Sequence, residues 1–319
     1  MREAFCLSDG WLGLATDFVI FSLLALSAWL VLRGGRISLG QQAYFALGAY
    51  AAALGTVGAG WSLLPALALG AAVGALAAGL FAWILARLSG LHYAVATLAI
   101  AELVRLALSA WQWRWTDAQG QWQGPNGIDG FREIRWLQQQ RVSAEDYLWL
   151  ALAVLAACMA LWALLSRTRW ALLLRACGHD DALAAASAIP AWALRVLAGA
   201  MAGLLAGLGG GLFALRLTFL DPQAFDPMLG IHAVGYALLG GLATAWGPLL
   251  GAAFDLGLLQ ATAELATWRM VVFGGLVALF LRWRPRGLLD EALLDRAGQA
   301  WRRWRARSTP RFIALKGHP

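Results

Sequence analysis

The stretch RACGHDDALAAASAIP, residues 175–190, separates two apolar runs at 147–165 and 191–216. It is too polar and too short to cross a bilayer, which takes about 20 apolar residues. Its Ala-rich centre still favours helix, because Ala loses no side-chain entropy there. A short surface helix between two long apolar runs makes sense if the runs cross a membrane and the helix lies on one face of it. The fold therefore turns on whether the rest of the chain repeats that pattern.

It does. Of the 319 residues, 61% are hydrophobic and 13% charged, against roughly a quarter charged in soluble domains. Apolar runs fall at about 11–32, 38–57, 62–86, 91–111, 147–165, 191–216, 232–247, 249–265 and 269–281. Their recurrence separates them from a single cleaved signal sequence. The 36 Gly, scattered through apolar stretches, suit close helix packing in lipid, and the 18 Trp suit anchoring at membrane interfaces. The chain reads as all-α: a polytopic transmembrane bundle over residues 1–281, with about eight to ten spans, some broken by Gly. A basic tail, 282–319, follows it.

Charge sets the orientation. From Arg282 onward there are ten basic and three acidic residues, a net of +7; the remainder holds 25 − 10 = 15 basic and 18 − 3 = 15 acidic. Basic residues also cluster after the first run (Arg33, Arg36), the third (Arg87) and the fifth (Arg167, Arg169, Arg175). Two, two and four spans separate these clusters, so all share one side, which the positive-inside rule makes cytoplasmic. The N-terminus is then expected outside and the tail inside, against anionic lipid. Nucleic acid is not an expected partner. Cys6, Cys158 and Cys177 have no metal spacing and read as small apolar fillers.

Two outer loops stand out: 112–146, with four Trp and the turn cluster GPNGIDG (124–130), and TFLDPQAFDPMLG (218–230), whose two Asp-Pro steps stop a helix. Both are expected to be connectors or docking surfaces. A rough echo links LGQQAYFALGAYAAALG (39–55) with AVGYALLGGLATAWGPLLG (233–251), a pattern compatible with an inverted repeat or with Gly-rich packing faces.

The chain carries no catalytic signature. GxxxxGK[ST], HExxH and GxSxG are all absent, and the His residues lie far apart, so no catalytic residue and no metal ligand is assigned. A membrane-embedded enzyme is therefore disfavoured; a stand-alone channel or carrier would have no need of the 175–190 helix. Charges inside spans are more informative, because each costs about 2.5–3.5 kcal/mol at the bilayer centre. Glu102 and Arg105, three apart, share a helix face and are expected to pair. Asp17 and Asp255 stand alone in their spans and must face protein or water. With Ser38, Gln41 and Gln42, the residues Glu102, Arg105 and Asp255 are candidates to line a solute path, or else to hold helices together.

The opening segment is then a cytoplasmic amphipathic helix. His179, Asp180 and Asp181 stand at its start, where acidic groups suit the positive end of the helix dipole. Leu183, Ala186 and Ile189 form an apolar stripe at spacing three, and Pro190 breaks away into the next span. Such a helix suits a groove on a separate protein.

GGRISLGQQAYFALGAY (34–50), HYAVATLAIAELVRL (92–106), RACGHDDALAAASAI through LAGLGGGLFAL (175–215), GYALLGGLATAWGPLLGAAF (235–254) and LRWRPRGLL (281–289) together resemble the permeases of ABC importers for branched-chain amino acids, M-type subunit. The resemblance implies a partner permease, two cytoplasmic ATPases that bind the ATP, and a periplasmic binding protein, with no cofactor on this chain. It makes 175–190 the coupling helix, from Arg175 through Pro190. Urea and short-chain amide permeases share the pattern. The chain departs from the family at Gly178, His179, Ala186 and Ala188 and in its Trp-rich loop.

Overall fold

A computed structural model of the chain describes residues 9–116, 120, 122–132, 134, 136–187, 189–259 and 269–283. Cys6, the 260–265 end of the eighth apolar run, Ala188 and the basic tail beyond Trp283 lie outside the described residues.

Among these residues, five helices are long and apolar enough to cross a membrane. They are α1 (Asp9–Arg33), α3 (Leu63–Ile84), α4 (Gly90–Ala110), α6 (Ala144–Leu165) and α9 (Ala191–Arg216). At 1.5 Å per residue the shortest is about 30 Å long, the thickness of the hydrocarbon core. Shorter apolar helices fill the remaining runs: α2 (Gln41–Ala53), α10 (Pro227–Gly240), α11 (Trp246–Ala253) and α12 (Arg269–Trp283). The chain is a polytopic helical bundle. The seventh and eighth runs divide at Gly241–Ala245, ahead of the expected break after 247, because Gly240 and Gly247 press backbone on backbone and only a turn there lets them meet.

The 39–55 and 233–251 echo does not map onto matching elements. The first stretch is one helix, and the second is the end of α10, a turn and most of α11. A structural likeness lies elsewhere: α2 and α11 both run on into a π-helical turn, Leu54–Gly58 and Phe254–Leu259. Such turns widen the helix and recur at functional sites.

Helix α9 is the hub, packed against α1, α2 and α3. Lipid offers no hydrophobic drive for helix association, so contact depends on close van der Waals approach. The glycines supply it: Gly207 lies against the backbone of Gly70 and Gly48, Gly203 against Gly74, and Gly210 against the Phe45 carbonyl. A Cβ at any of these would overlap backbone atoms that cannot swing aside.

The two outer loops are not separate connectors. Strands β1 (Trp115–Thr116), β2 (Trp122–Pro125), β3 (Phe131–Arg132) and β4 (Phe219–Leu220) form one antiparallel sheet in that order, joining the loops at one end of the bundle. The GPNGIDG turn supplies the reversal between β2 and β3, with Gly127 and Gly130 at positive φ. Short α5 (Trp136–Gln139) follows. Beneath the sheet an aromatic ladder runs inward. Trp111, Trp113, Trp115 and Phe131 contact one another in sequence, Phe131 meets Tyr50 of α2, and Tyr50 meets Phe225. The opposite end carries two surface helices, α7 (Arg169–His179) and α8 (Asp181–Ala186).

Gly207→Ala drives its new methyl into the backbone of Gly70 and Ala71, wedging α9 from α3, and is expected to destabilise the detergent-solubilised protein by about 1–3 kcal/mol. Gly274→Ala, whose new methyl meets nothing within 4 Å, is the control and does not lower the melting temperature.

Candidate functional site

The polar residues singled out within the spans occupy three separate centres. The first is the head of α2. Helix α1 ends at Arg33, and an irregular connector, 34–40, which opens with a turn at 34–35, leads back into the bundle. Leu39 N donates to Thr97 Oγ1 of α4 at 3.0 Å, and Gly40 N donates to Ser38 Oγ at 3.4 Å. Ser27 Oγ of α1 donates to Gln41 Oε1 at 3.1 Å. Helix α2 therefore starts beside Ser27, about 9 Å inside the end of α1 at 1.5 Å per residue. Gln42 is 1% exposed, and neither atom of its amide has a partner. Its Oε1 faces Gly230 in the first turn of α10, which has room only for hydrogen there. Asp226 caps α10, accepting from Leu229 N at 3.1 Å, and Pro227 follows at N1.

The second centre is on α4. Arg105 Nε donates to Glu102 Oε2 at 2.9 Å and Arg105 Nη2 to Glu102 Oε1, a two-pronged pair across one turn. Arg105 Nη1 also reaches Gln223 Oε1, 2.5 Å away, in the 3-10 turn Pro222–Phe225. This pair is open at the bundle surface, with the Glu102 side chain 37% exposed. The third centre is Asp255, fully buried on the π-helical turn, which accepts from Tyr236 Oη of α10 at 2.6 Å. Ser38, Gln41 and Gln42 thus come together, while Glu102–Arg105 and Asp255 stand apart from them and from each other.

Asp17 is alone only within its own helix. It pairs with Arg216 at the far end of α9, a partner that spacing along the chain does not reveal.

The expected single helix at 175–190 is two helices. Arg175 and His179 belong to α7, so His179 lies in a helix's last turn and not at a helix start, where its position suits the negative end of the dipole. Asp180 is extended, and its Oδ1 caps α8 by accepting from Leu183 N at 3.0 Å. Asp181 opens α8, with its side chain outside the described ones. The stripe through Ile189 assumed an unbroken helix. Because α8 ends at Ala186, Leu183 and Ala186 are exposed while Ile189 is half-buried, and Pro190 is the N-cap of α9.

Sequence reasoning missed α7's share of the surface. Ala171, Leu174 and Cys177 are buried at spacing three, and Leu172 and Leu173 face outward. That periodicity was present, but Arg167, Arg169 and Arg175 made the segment look like a charged loop. Leu172 (63% exposed), Leu173 and Leu183 (65%) form an apolar surface on the helices that lie beyond the bundle's end.

A many-helix bundle with half-helices meeting inside it, an open ion pair on one span and an apolar face on two surface helices has the form of a membrane transport subunit. Residues 10–281 match the family described as branched-chain amino acid transport system / permease component. The chain belongs to that family, whose members are multi-pass membrane transport subunits. It is 26% identical over 310 residues to the high-affinity branched-chain amino acid transport system permease protein LivM of Salmonella typhimurium (strain LT2), covering 89% of this chain and 71% of that one. To LivM of Escherichia coli (strain K12) it is 27% identical over 314 residues, with the same coverage. No solved structure matches the chain.

Tyr236→Phe removes a donor from a buried carboxylate and is expected to lower stability by about 1–3 kcal/mol. Tyr50→Phe, which deletes a buried hydroxyl without a partner, is neutral or stabilising. Melting of both variants in detergent tests the contrast.

Proposed function

We propose that this chain is one of two permease subunits of an ATP-driven importer for branched-chain or closely related amino acids in the inner membrane. Two cytoplasmic ATPase subunits bind and hydrolyse the ATP, this chain holding no cofactor. A periplasmic binding protein delivers the solute at the sheet end. The N-terminus faces the periplasm and the basic tail the cytoplasm, in contact with lipid headgroups.

The observation that carries the reading is the apolar surface of Leu172, Leu173, Leu183 and Ala186. It lies on the two surface helices between the spans α6 and α9, at the end that also bears Arg33, Arg36, Arg87, Arg167, Arg169 and Arg175. The positive-inside rule makes that end cytoplasmic, and an apolar helix face there fits a groove on an ATPase.

The open Glu102–Arg105–Gln223 group supports a second permease. Charges within spans face protein or water, so this face of α4 borders either the partner permease or the aqueous path between the two. Ser38, Gln41 and Gln42 form a polar floor between the heads of α2 and α10, exposed to solute when these half-helices part, and Asp255 steadies α10 through Tyr236. A zwitterion with an apolar side chain needs both kinds of lining: these polar groups for its head, and the neighbouring Phe45 and Phe225 for its tail.

The deciding experiment is uptake of labelled leucine into proteoliposomes holding both permeases, both ATPases and external binding protein. Uptake that requires internal ATP is expected; uptake indifferent to ATP, or none, sinks the proposal. Leu172→Asp with Leu183→Asp should cut recovery of the ATPase subunits on affinity purification at least tenfold while the chain stays inserted. Glu102→Gln should lower uptake at least tenfold, and Glu3→Gln, ahead of the first apolar run in the sequence, should leave it unchanged.

A further inference from the structure

One side chain joins the surface helices to the bundle. Arg195, at the start of the second turn of α9, donates from Nε to the carbonyl of Gly34 at 2.9 Å and from Nη2 to the carbonyl of Cys177 at 3.1 Å. The first carbonyl lies just past the end of α1 and the second in the last turn of α7. One guanidinium thus holds the negative ends of two helices, a favourable placement for a fixed cation. The bond to Cys177 also closes the chain between α7 and α9 into a loop with α8 at its tip. A force on α8 then cannot be absorbed by the hinge at Asp180 and the turn before Pro190 alone.

The same place has a second, independent contact. Gly35 sits at φ +75, and a Cβ on it would come 2.9 Å from the Cα of Gly178. A Cβ on Gly178 would overlap the carbonyl of Arg33. The last turn of α7 therefore rests on the backbone of the connector with no side chain between them, and a rigid contact of this kind transmits displacement without slack.

The connector is gripped from its other side as well. Arg36 donates to the carbonyls of Leu85 (3.3 Å) and Ala86 (2.6 Å) past the end of α3, and its guanidinium lies 4.9 Å from the Tyr93 ring centre on α4. Beyond Arg36 the connector passes Ser38 and becomes the head of α2 at Gln41 and Gln42. From the α7 contact at Gly35 to the unpaired Gln42 amide is only seven residues along the chain.

We infer that Arg195, together with the Gly35–Gly178 contact, is the positioning device that makes connector 34–40 follow α7 and α8, and so ties the ATPase-facing surface to the head of α2 beside α10. This rests on the reading of α7–α8 as the ATPase surface. Arg195 acts as a positioning residue: it sets how much of the motion of α7 and α8 reaches Gln41 and Gln42. Coupling of this kind needs one element whose two positions are biased from both ends, and the connector is that element.

The test uses the complete transporter in proteoliposomes, with leucine-loaded binding protein as stimulus and leucine imported per ATP hydrolysed as the readout. R195M removes both bonds. It is expected to retain its ATPase subunits and basal hydrolysis within twofold, and to import at least tenfold less leucine per ATP. R195K keeps the charge but not the fork and falls between. G178A, with its methyl against the Arg33 carbonyl, should reproduce the R195M loss. A parent-like ratio in R195M, or uptake and hydrolysis falling in proportion, overturns the inference. Should R195M lose its ATPase subunits, R195K decides: a parent-like ratio there overturns it equally. Failure of the underlying functional reading looks different, because the unmutated transporter itself would then show no ATP-driven uptake.

Discussion

The structure depends on how near α9 comes to α2 and α3. In lipid, apolar side chains gain nothing by leaving hydrocarbon for a helix neighbour, so helices stay together through dense packing and few polar bonds. Gly48, Gly70 and Gly207 let three backbones meet at one place, with Gly74 and Gly203 extending the seam. That seam fixes α2 and so fixes where its head stands inside the bundle. The glycine content that marked the composition is thus concentrated where backbone atoms touch.

The second constraint is the price of polarity in hydrocarbon. Asp17 is answered by Arg216, Asp255 by Tyr236, and Gln41 by Ser27, each from a different element. Two of the groups that break the pattern do so in opposite ways. Gln42 is buried with its amide unanswered, and Glu102–Arg105 is answered but left open at the surface. A group that one chain leaves unsatisfied or uncovered makes sense when another arrangement, or another chain, completes it. Both exceptions border elements that a transport cycle has to move or share: the meeting of α2 with α10, and the open face of α4.

The two ends of the bundle are built from different materials. At the sheet end, β1–β4 and the ladder from Trp111 to Phe225 bind two loops into one body through aromatic contacts of about 6 Å, each adding roughly 0.5–1.5 kcal/mol beyond burial. At the α7–α8 end, contact runs through bare backbone and the hydrogen bonds of Arg36 and Arg195. Arg33 adds to it, stacked 5.0 Å from Trp29 and 5.7 Å from Trp162. The first end offers a firm platform. The second offers a direct mechanical connection from surface helices to the core.

The five long apolar helices, the surface segment after the fifth apolar run, and the pairing of Glu102 with Arg105 were all legible in the chain. Lipid imposes length and hydropathy on every span, and a pair three residues apart is local geometry. The break at Asp180 was not legible, because a single capping bond to Leu183 outweighs the helix preference of the residues around it. Nor was α7 distinguishable from a charged loop until Ala171, Leu174 and Cys177 were seen to be buried. The bonds of Asp17 to Arg216, of Arg195 to Gly34 and of β3 to β4 cross scores of residues. Each depends on which helices glycine allows to approach, and that is decided only when the whole bundle closes.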